Sequence, residues 1–469
     1  MSLGEIRNPI TNLTFELQLK GCGRSPFSRG FDGRAVLRSS IREFLVSEAM
    51  HHMNVPTTRA LSVIATGETV IRPWYATTSE DARTGPEGPL IKYPPNMMKK
   101  EPGAVVCRVA PSFLRFAHLE LFAIRGEFKE LLQLADFVCL REFPSLLIMP
   151  LPERYIELYR QVVRANAALV VDWLRVGYVQ GNMNSDNTCL AGRTIDYGPF
   201  GWMEAYEPKY QPFTSDRDGK FAFILQPSAM QININVLGEK AFVDLVREAF
   251  KLVEPNASED DVNVQIQALY NIANEEFPST FWKSYDEMKR RKLGLVSFKT
   301  SDGEDAELWK TLEELLIISK ADYTMFFREL AIVADSVSPE DALNGIEVSF
   351  NSIGGQSDVE FRRKWCACLE RYAARIKREG PLWSHPSQRI ESQNQSNPKY
   401  VPRNWMLVLA YENAEKGDFS LVRELQDLFS DPYAQNETEE QAKARLKWYM
   451  KTPTWARNMP GVTFMSCSS

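Results

Sequence analysis

The chain has 469 residues, of which 44% are hydrophobic and 25% charged, a composition typical of a folded globular protein with two or three domains. Its net charge of −6 argues against a nucleic-acid partner, because a phosphate backbone attracts a basic surface. No stretch approaches the roughly 20 apolar residues of a membrane span, so we expect no membrane partner.

The first predicted element is a strand over 13–20, LTFELQLK, in which apolar and polar residues alternate so that one face goes to the core. The strand ends at Lys20. A helix is predicted over about 34–51. Its apolar residues recur at helical spacing: Leu37, Ile41, Phe44 and Leu45.

Two further strands are predicted in 59–73, RALSVIATGETVIRP, around a Thr-Gly turn. Residues 78–103 are rich in Pro and Gly and are interpreted as a surface insertion. The stretch 103–111, GAVVCRVAP, returns to strand, and 111–177 is mostly helical.

After Gln226-Pro227 the chain is almost entirely helical to its end. The basic run 289–292 is interpreted as a solvated helix end, and 384–402 as a polar linker before a last helical unit. In that unit we expect Gly417 to cap one helix and Asp418 to start the next.

The seven Cys are scattered and odd in number, which indicates reduced thiols and no disulfide framework. With four His in the chain, no cluster has the spacing of a zinc site. The start, MSLGEIRNPI, has neither a secretory nor a transit pattern, so the compartment stays open between mitochondrion and cytoplasm.

A lysine and a glutamate have the arrangement that fixes an ammonium group against phosphate. Lys20 ends a predicted strand, and Glu43 lies on the following helix. The alternative interpretation is that Lys20 and Glu43 are two unrelated surface charges. The order of strand Lys, helix Glu and then a downstream Asn and Asp favours the functional interpretation.

The stretch GNMNSDNTCLAGRTIDYGPFG, residues 181–201, supplies that Asn and Asp. Asn187 and Asp196 flank a predicted hairpin and offer the oxygen ligands that Mg²⁺ prefers. Asn182 stands where a protein kinase keeps its catalytic Asp. Asp186 is the carboxylate left for proton transfer, and a loop cap remains the alternative.

Two arginines lie seven positions apart in CRVAPSFLR, residues 107–115. Arg108 and Arg115 could hold phosphate oxygens with their guanidinium groups, although Arg at this spacing is common on any helix face.

Several motifs resemble the selenoprotein O family, kinase-like proteins that act as protein adenylyltransferases. The motifs run through nearly the whole chain and are LKGCGRSPFSRGFDGRAVLRSSIREFLVSEAMHH (19–52), PTTRAL (56–61), RVAPSFLRF (108–116), NMNSDN (182–187), DYGPFG (196–201), NPKYVPRNW (397–405), AEKGDF (414–419) and the terminal SCSS.

The resemblance implies transfer of AMP from ATP to hydroxyl side chains of proteins on Ser, Thr or Tyr, with Mg²⁺ or Mn²⁺ as cofactor and pyrophosphate as leaving group. ATP would bind flipped relative to ordinary kinases, so that its α-phosphate faces the acceptor. The missing kinase Asp is expected in such a family. The implied roles are phosphate contact for Lys20 (paired with Glu43), Arg108 and Arg115, nucleotide contact for Asp32 and Gly33, metal ligation for Asn187 and Asp196, and proton abstraction for Asp186.

The chain departs from the family pattern at three places. The family's Gly-rich segment lies upstream of the position matching Leu3-Gly4-Glu5, and this chain begins after it, which would leave a first lobe without those strands. Gln180-Gly181 stands where the family usually has His-Gly. Cys467 occupies the position of the family's redox-active residue, without a partner Cys after DYGPFG, and is either a thiol sensor or an inert tail residue.

Together these patterns predict an α+β, protein-kinase-like bilobal fold with a mostly helical C-terminal extension. The predicted units are a first lobe over 1–106, a second lobe with the active site over 107–330, and a helical extension over 331–469. We expect an Mg²⁺-dependent protein adenylyltransferase. A non-catalytic nucleotide-binding scaffold is the alternative, and Asn182 speaks against a small-molecule phosphotransferase. The protein substrates and the choice between ATP and UTP stay open.

Overall fold

The computed structural model describes most of the chain. The described residues are 1–25, 28, 30–73, 98–256, 258–301, 303–333, 335–352, 358–379, 383, 385–434, 437–457, 459, 461–462 and 465.

An antiparallel sheet forms the N-terminal part. Its strands are β1 (Ser2–Arg7), β2 (Thr14–Lys20), β3 (Ala35–Val36), β4 (Arg59–Pro73) and β5 (Met98–Ala110). The long β5 is central: β4 pairs along one edge, while β2 and β3 pair one after the other along the opposite edge, and β1 extends the sheet beyond β2.

The predicted strand over 13–20 is confirmed as β2, but its burial differs from the prediction. Every residue of β2 is half-buried, and Leu13, just before it, is 58% exposed. The helix that covers the sheet packs on β3, β4 and β5, so the apolar face of β2 is left partly open. The strand β1 was not predicted, and its residues are all exposed.

The prediction of two strands in 59–73 is wrong, because the structure has one strand there. Both halves of β4 pair with β5, with an irregularity between Ala65 and Thr69 where Gly67 has φ +75°. The Thr-Gly pair makes a bulge, since β5 is long enough to pair with both halves. Residues 98–103 of the predicted insertion belong to β5, and the rest of that insertion lies outside the described residues.

The predicted helix near 34–51 is confirmed as α1 (Leu37–His52), and its predicted apolar residues are buried. The sheet covers one side of α1, and two helices from the end of the chain, over 404–415 and 420–430, cover the other. A helix that is buried all round must satisfy its polar side chains internally.

Three sets of polar contacts anchor α1. Near its start the Arg38 guanidinium pairs with Glu101 through Nε–Oε1 at 2.6 Å and Nη2–Oε2 at 3.1 Å. In the middle, Arg42 donates to Asn404 Oδ1 at 3.1 Å and to the carbonyl oxygen of Phe200 at 3.3 Å.

The third anchor is at the C-terminal end of α1. The carbonyl oxygen of Met53 accepts hydrogen bonds from Arg175 Nη2 and from the Tyr433 hydroxyl, both at 2.8 Å. Each end of α1 and its centre are therefore tied to distant segments of the chain.

The rest of the described chain is mainly helical, as predicted. The elements are α2 (Phe116–Ile124), α3 (Phe128–Glu142), α4 (Glu153–Val176), the short strands β6 (Tyr178–Val179) and β7 (Gly201–Trp202), then α5 (Gln226–Leu237), α6 (Val243–Val253), α7 (Glu259–Asn271), α8 (Phe277–Lys292), α9 (Gly303–Ser319), α10 (Tyr323–Val333), α11 (Pro339–Ile346), α12 (Asp358–Glu379), α13 (Pro386–Asn394), α14 (Asn404–Glu415), α15 (Ser420–Ser430) and α16 (Glu439–Arg445). This mixture of small antiparallel sheets and many helices is an α+β fold. Gly417, with φ +90°, follows α14 as expected. The Asp418 carboxylate accepts from the Ser420 backbone N–H, but α15 begins at Ser420 and its N-cap is Phe419, one residue later than predicted.

The prediction of a polar linker over 384–402 is wrong, because the described part of this segment contains α13 and buries several polar side chains, although residues 385–388 are exposed. Arg389, Gln393 and Asn397 are each at most 1% exposed. Gln393 Nε2 and Asn397 Nδ2 donate to the Lys292 carbonyl oxygen at 2.9 and 3.0 Å. These polar side chains satisfy the C-terminal end of α8, a role that composition does not reveal.

The basic run 289–292 ends α8, and the prediction of a solvated end holds only in part, because the Arg291 side chain is 58% exposed whereas the two lysines are buried. Lys289 and Lys292 are 4% and 2% exposed. The Lys292 ammonium lies 4.5 Å from the ring centroid of Tyr323 and 4.1 Å from that of Phe327. Burial lowers the pKa of Lys292 well below its ordinary value, and the nearby charge of Arg175 adds to this effect.

Among the described residues, no helix combines the length and the apolar character that crossing a membrane requires.

Candidate active site

Four charged side chains from separate segments meet at one end of the sheet. Lys20 Nζ lies 2.7 Å from Glu43 Oε2 and 2.9 Å from Asp196 Oδ1. Arg108 Nη2 lies 3.0 Å from the same Asp196 oxygen, and Arg108 Nε contacts Glu43 Oε1. We call these four residues the charge cluster, in which each anion touches both cations.

The strand register explains how the two cations meet. In the pairing of β2 with β5, Gln18 lies opposite Arg108 and Lys20 opposite Val106. Residues directly opposite each other, or two apart, share a sheet face, so Lys20 and Arg108 project to the same side. That side is the one on which α1 presents Glu43.

The electrostatics of the charge cluster keep both carboxylates ionised. The nearby Lys20 ammonium lowers the pKa of Asp196 far below its usual range, and Arg108 acts in the same direction against the cost of burial. Burial would raise the pKa of Glu43, but Arg108 and Lys20 outweigh it, so that this pKa is also lowered. The Asp196 side chain is 32% exposed, so the site stays open to solvent.

Asp196 has an unusual backbone conformation. Its φ is +59°, in the left-handed region that few residues other than glycine adopt, and its carbonyl oxygen accepts the backbone N–H of Gly198 at 2.8 Å. A tight turn therefore aims the carboxylate at the two cations. Such backbone strain recurs at functional sites.

The amide of Asn187 faces the second oxygen of Asp196. With the amide oriented to donate, its nitrogen lies 3.3 Å from Asp196 Oδ2 and 3.1 Å from the Asp186 carbonyl oxygen, and its oxygen accepts from Asn182 Nδ2 at 3.3 Å. If the amide turned its oxygen to Asp196 instead, two oxygens of the kind that Mg²⁺ prefers would face each other. The two residues fit a divalent cation completed by phosphate and water.

We do not expect a metal site in which every ligand comes from the protein. In the described part of the chain, no group of three or more His, Cys, Asp or Glu side chains is arranged to hold a metal ion. Mg²⁺ commonly takes one or two protein ligands and fills its shell from substrate phosphates and water, which agrees with a pair such as Asn187 and Asp196.

Asp186 lies beside Asn187 in a 3-10 turn over Ser185–Asn187 and is half-buried. Arg115 Nη1 donates to the Asp186 carbonyl oxygen at 2.8 Å. Arg115 thus supports the turn through its backbone, while its buried Nε has no hydrogen-bond partner among the described residues.

The predicted hairpin between Asn187 and Asp196 is wrong in its pairing, although the two residues do come together. A turn forms where Gly192 N donates to Cys189 O at 3.2 Å. Its two sides pair with other segments, Cys189 with Arg115 and Thr194 with Thr57. The partners of both sides come from elsewhere in the chain, which local sequence cannot indicate.

Gln180 has a clear structural role at the start of this region. Its Nε2 donates to the Ile195 carbonyl oxygen at 2.8 Å, and its Oε1 accepts the Tyr178 hydroxyl at 2.6 Å. Gly181 follows with φ +77°, and a Cβ there would lie 2.2 Å from the Pro199 carbonyl oxygen. The segment before Asp196 is therefore tied to the segment before Asn182.

Two further predicted site residues, Asp32 and Gly33, do not join the charge cluster in the described contacts. The Asp32 carboxylate pairs with Arg72 of β4, which lowers the pKa of Asp32. Gly33 has φ +66° and lies against the Gly23 backbone, where a Cβ would not fit. Cys467 lies outside the described residues.

Sequence reasoning missed two supports of the site. Arg42 holds the carbonyl oxygen of Phe200, four residues after Asp196, and Thr57 contacts the Tyr197 hydroxyl. The sequence offered one signal for each: Arg42 directly precedes Glu43, and Thr57 lies inside the motif PTTRAL.

Comparisons with known proteins agree with the resemblance seen in the motifs. The family model described as protein adenylyltransferase SelO matches residues 1–82 and 91–430. A protein nucleotidyltransferase YdiU from Flavobacterium johnsoniae is 38% identical over 473 residues, covering 100% of this chain and 80% of the relative.

Two further relatives with the same name give similar values. The protein from Nitrosospira multiformis is 37% identical over 494 residues, covering 100% of this chain and 78% of the relative. The protein from Tolumonas auensis is 38% identical over 470 residues, covering 100% of this chain and 80% of the relative.

Proposed function

Because the chain belongs to the protein adenylyltransferase SelO family and is a protein nucleotidyltransferase, we propose that it transfers AMP from ATP to hydroxyl side chains of other proteins, with a divalent cation as cofactor. The acceptors would be Ser, Thr or Tyr, and Mg²⁺ is the cation that the oxygen donors favour.

The observation that carries this proposal is the charge cluster. Two cations, Lys20 and Arg108, are fixed by a buried glutamate and share one oxygen of Asp196. Cations that are already oriented stabilise charge on phosphate without reorganisation during the reaction. With ATP bound, we expect both to contact phosphate oxygens, with Arg115 nearby.

Asn187 and Asp196 would hold the cation. Bound there, it would neutralise the negative charge of the phosphates. Asp196 Oδ2 is the oxygen that faces Asn187, while Oδ1 is engaged by Lys20 and Arg108, so the two oxygens of one carboxylate would divide the two tasks.

Asp186 would be the general base. It would take the proton of the acceptor hydroxyl as that oxygen bonds to the α-phosphorus, and the bond between the α-phosphorus and the bridging oxygen would break to release pyrophosphate. Asn182, at the position of the kinase base, has an amide that cannot accept this proton at neutral pH.

We extend the proposal to the architecture. The sheet with α1, followed by helices, supports a protein-kinase-like bilobal fold with a first lobe over 1–106, a second over 107–330 and a helical extension over 331–469. Asp32 and Gly33 would contact the nucleotide from the loop that follows β2, after release of Asp32 from Arg72.

Parallel incubation with α-labelled and γ-labelled ATP and a mixture of candidate proteins tests the proposal. We expect protein-bound label from the α-position, dependent on added Mg²⁺, and none from the γ-position. Stable γ-label on protein would contradict adenylyl transfer. ATP binding by calorimetry without transfer of either label would instead favour a nucleotide-binding scaffold.

A further inference from the structure

A buried carboxylate next to the candidate base has no role so far. Glu120 lies on α2 and is 8% exposed. Its Oε2 accepts a hydrogen bond from the Ser185 hydroxyl at 2.8 Å, while its buried Oε1 has no hydrogen-bond partner among the described residues.

This arrangement is poor as a stabilising device. A buried carboxylate with one oxygen unpaired loses hydration that a single hydrogen bond does not replace. An apolar side chain of similar size on α2 would avoid that penalty. The carboxylate is therefore better explained by its hydrogen bond with Ser185 than by a contribution to the stability of α2.

Ser185 begins the 3-10 turn that carries Asp186 and Asn187. Arg115 holds the backbone of the turn by donating to the Asp186 carbonyl oxygen. Asn233 holds the residues before the turn by donating to the Met183 carbonyl oxygen. The hydrogen bond from Ser185 to Glu120 ties the start of the turn to α2 through a side chain, and an ionised acceptor makes such a bond shorter and stronger.

We propose that Glu120 is a positioning residue that acts through Ser185 to hold Asp186 at the acceptor hydroxyl. The proposal rests on the proposed function, since it assigns Asp186 as the base. Proton transfer requires the base within hydrogen-bond reach of its proton, so that a small displacement of the turn reduces the rate of the chemical step. The phosphate contacts proposed for the charge cluster lie outside this turn, and Asn187 has its own contacts with Asp196 and Asn182, so ATP affinity should be largely spared.

Four variants test the proposal in the full chain, with α-labelled ATP in excess and a protein acceptor. Ser185→Ala removes the donor, and Glu120→Met removes the acceptor while keeping the side-chain length. We expect each to lower kcat about tenfold, with the Kd for ATP within about twofold of wild type. The conservative variants Ser185→Thr and Glu120→Gln keep the hydrogen bond and should stay within about threefold of the wild-type kcat.

The matched control is Ser297→Ala. The Ser297 hydroxyl donates to Glu379 Oε1 at 3.2 Å, and Glu379 is also buried, on α12. This variant removes the same kind of bond and should leave kcat unchanged. Melting temperatures separate the two roles: Glu120→Met should keep or raise the melting temperature, because it removes an unpaired buried carboxylate.

The results can overturn the proposal in several ways. The proposal is wrong if kcat is unchanged in Ser185→Ala, or if ATP affinity in that variant falls as much as kcat does. It is also wrong if Ser297→Ala loses as much kcat as Ser185→Ala, or if Glu120→Met has a much lower melting temperature than the wild type. If Ser185→Ala does not fold, Glu120→Met and Glu120→Gln still give the comparison. Failure of the wild-type chain to transfer α-label would count against the proposed function instead.

Discussion

At the scale of single residues, Asp196 and Asp186 lie ten positions apart and have different surroundings. Asp196 is held between two cations, whereas the turn of Asp186 is supported through its backbone. We expect Asp196→Asn to lower Mg²⁺-dependent ATP affinity at least tenfold, since it removes the carboxylate proposed for the cation. Asp186→Asn should keep that affinity and lower transfer by roughly 10²- to 10⁴-fold. Calorimetry and α-label transfer measure the two effects, and equal losses of affinity would make Asp186 a ligand or a structural group.

Glu43 should matter more for stability than Lys20. Glu43 is 2% exposed and touches both cations, so Glu43→Gln leaves Arg108 buried with less compensation and should cost about 3 kcal/mol of unfolding free energy. Lys20→Met should cost less, because that side chain is 32% exposed. Residues in one network are non-additive, so the double variant should lose less than the sum. Urea unfolding provides the measurement, and strictly additive losses would mean that the two side chains do not interact.

His118 gives the fold a pH dependence. Burial, together with the charge of Arg115, lowers the pKa of His118 from 6.5 to about 4, and its Nδ1 accepts the Arg115 backbone N–H. The folded protein thus binds fewer protons, so this contribution to stability is complete above pH 6.5 and is lost as the pH falls towards 4, by at most about 3 kcal/mol. His118→Gln can still accept the backbone N–H without titrating. Urea unfolding at pH 7.5 and pH 4.5 should show a smaller pH effect in that variant, and an unchanged pH effect would place its origin elsewhere.

Some residues of the site could be predicted and others could not, for a physical reason. Lys20 and Glu43 were found because their order along the chain, strand then helix, matches a known arrangement. The contacts of Arg108 depend on the register of β2 against β5, which pairs residues about ninety positions apart. The pairing of Asp32 with Arg72 was not predicted for a similar reason, because Arg72 lies on β4, which the sequence pattern indicated as two strands.

At the scale of secondary structure, amphipathic helices were the most predictable elements. The spacing of apolar residues in α1 is a local feature of the sequence and does not depend on the tertiary structure. The single strand β4 and the buried segment around α13 were mispredicted because their partners are distant. A Thr-Gly pair becomes a bulge when a long strand lies beside it, and a polar segment becomes interior when it satisfies the end of another helix.

The first anchor of α1 allows a test at this scale. Arg38 and Glu101 are 0% and 1% exposed and form a two-point ion pair. Arg38→Met should cost about 3–5 kcal/mol of unfolding free energy, because it leaves a buried carboxylate uncompensated. Adding Glu101→Leu should recover most of that loss. Chemical denaturation of the two single variants and the double variant measures the coupling, and a double variant as unstable as Arg38→Met would exclude it.

At the scale of the whole molecule, the C-terminal helices are part of the same core as the sheet. The helices α14 and α15 cover α1, and Arg403, just before α14, forms a buried two-point ion pair with Asp322 at 2.6 and 2.9 Å. A fragment 1–330 should therefore lack cooperative unfolding, because it exposes the apolar side of α1. Circular dichroism and urea titration against the full chain check this. A fragment with native-like near-ultraviolet signal and an unchanged midpoint would show that the proposed extension is dispensable for folding.

The three anchors of α1 also affect how often this helix opens to solvent. Backbone amide protons of a helix held at both ends and at its centre, and covered on both sides, reach water only when the covering parts separate together. For ordinary domains such global opening takes from about a second to days, whereas one catalytic turnover commonly takes about a tenth of a second. Hydrogen exchange at Glu43 should accordingly be among the slowest in the chain. The charge cluster, which we propose to contact ATP, would then outlast very many turnovers before the protein next unfolds.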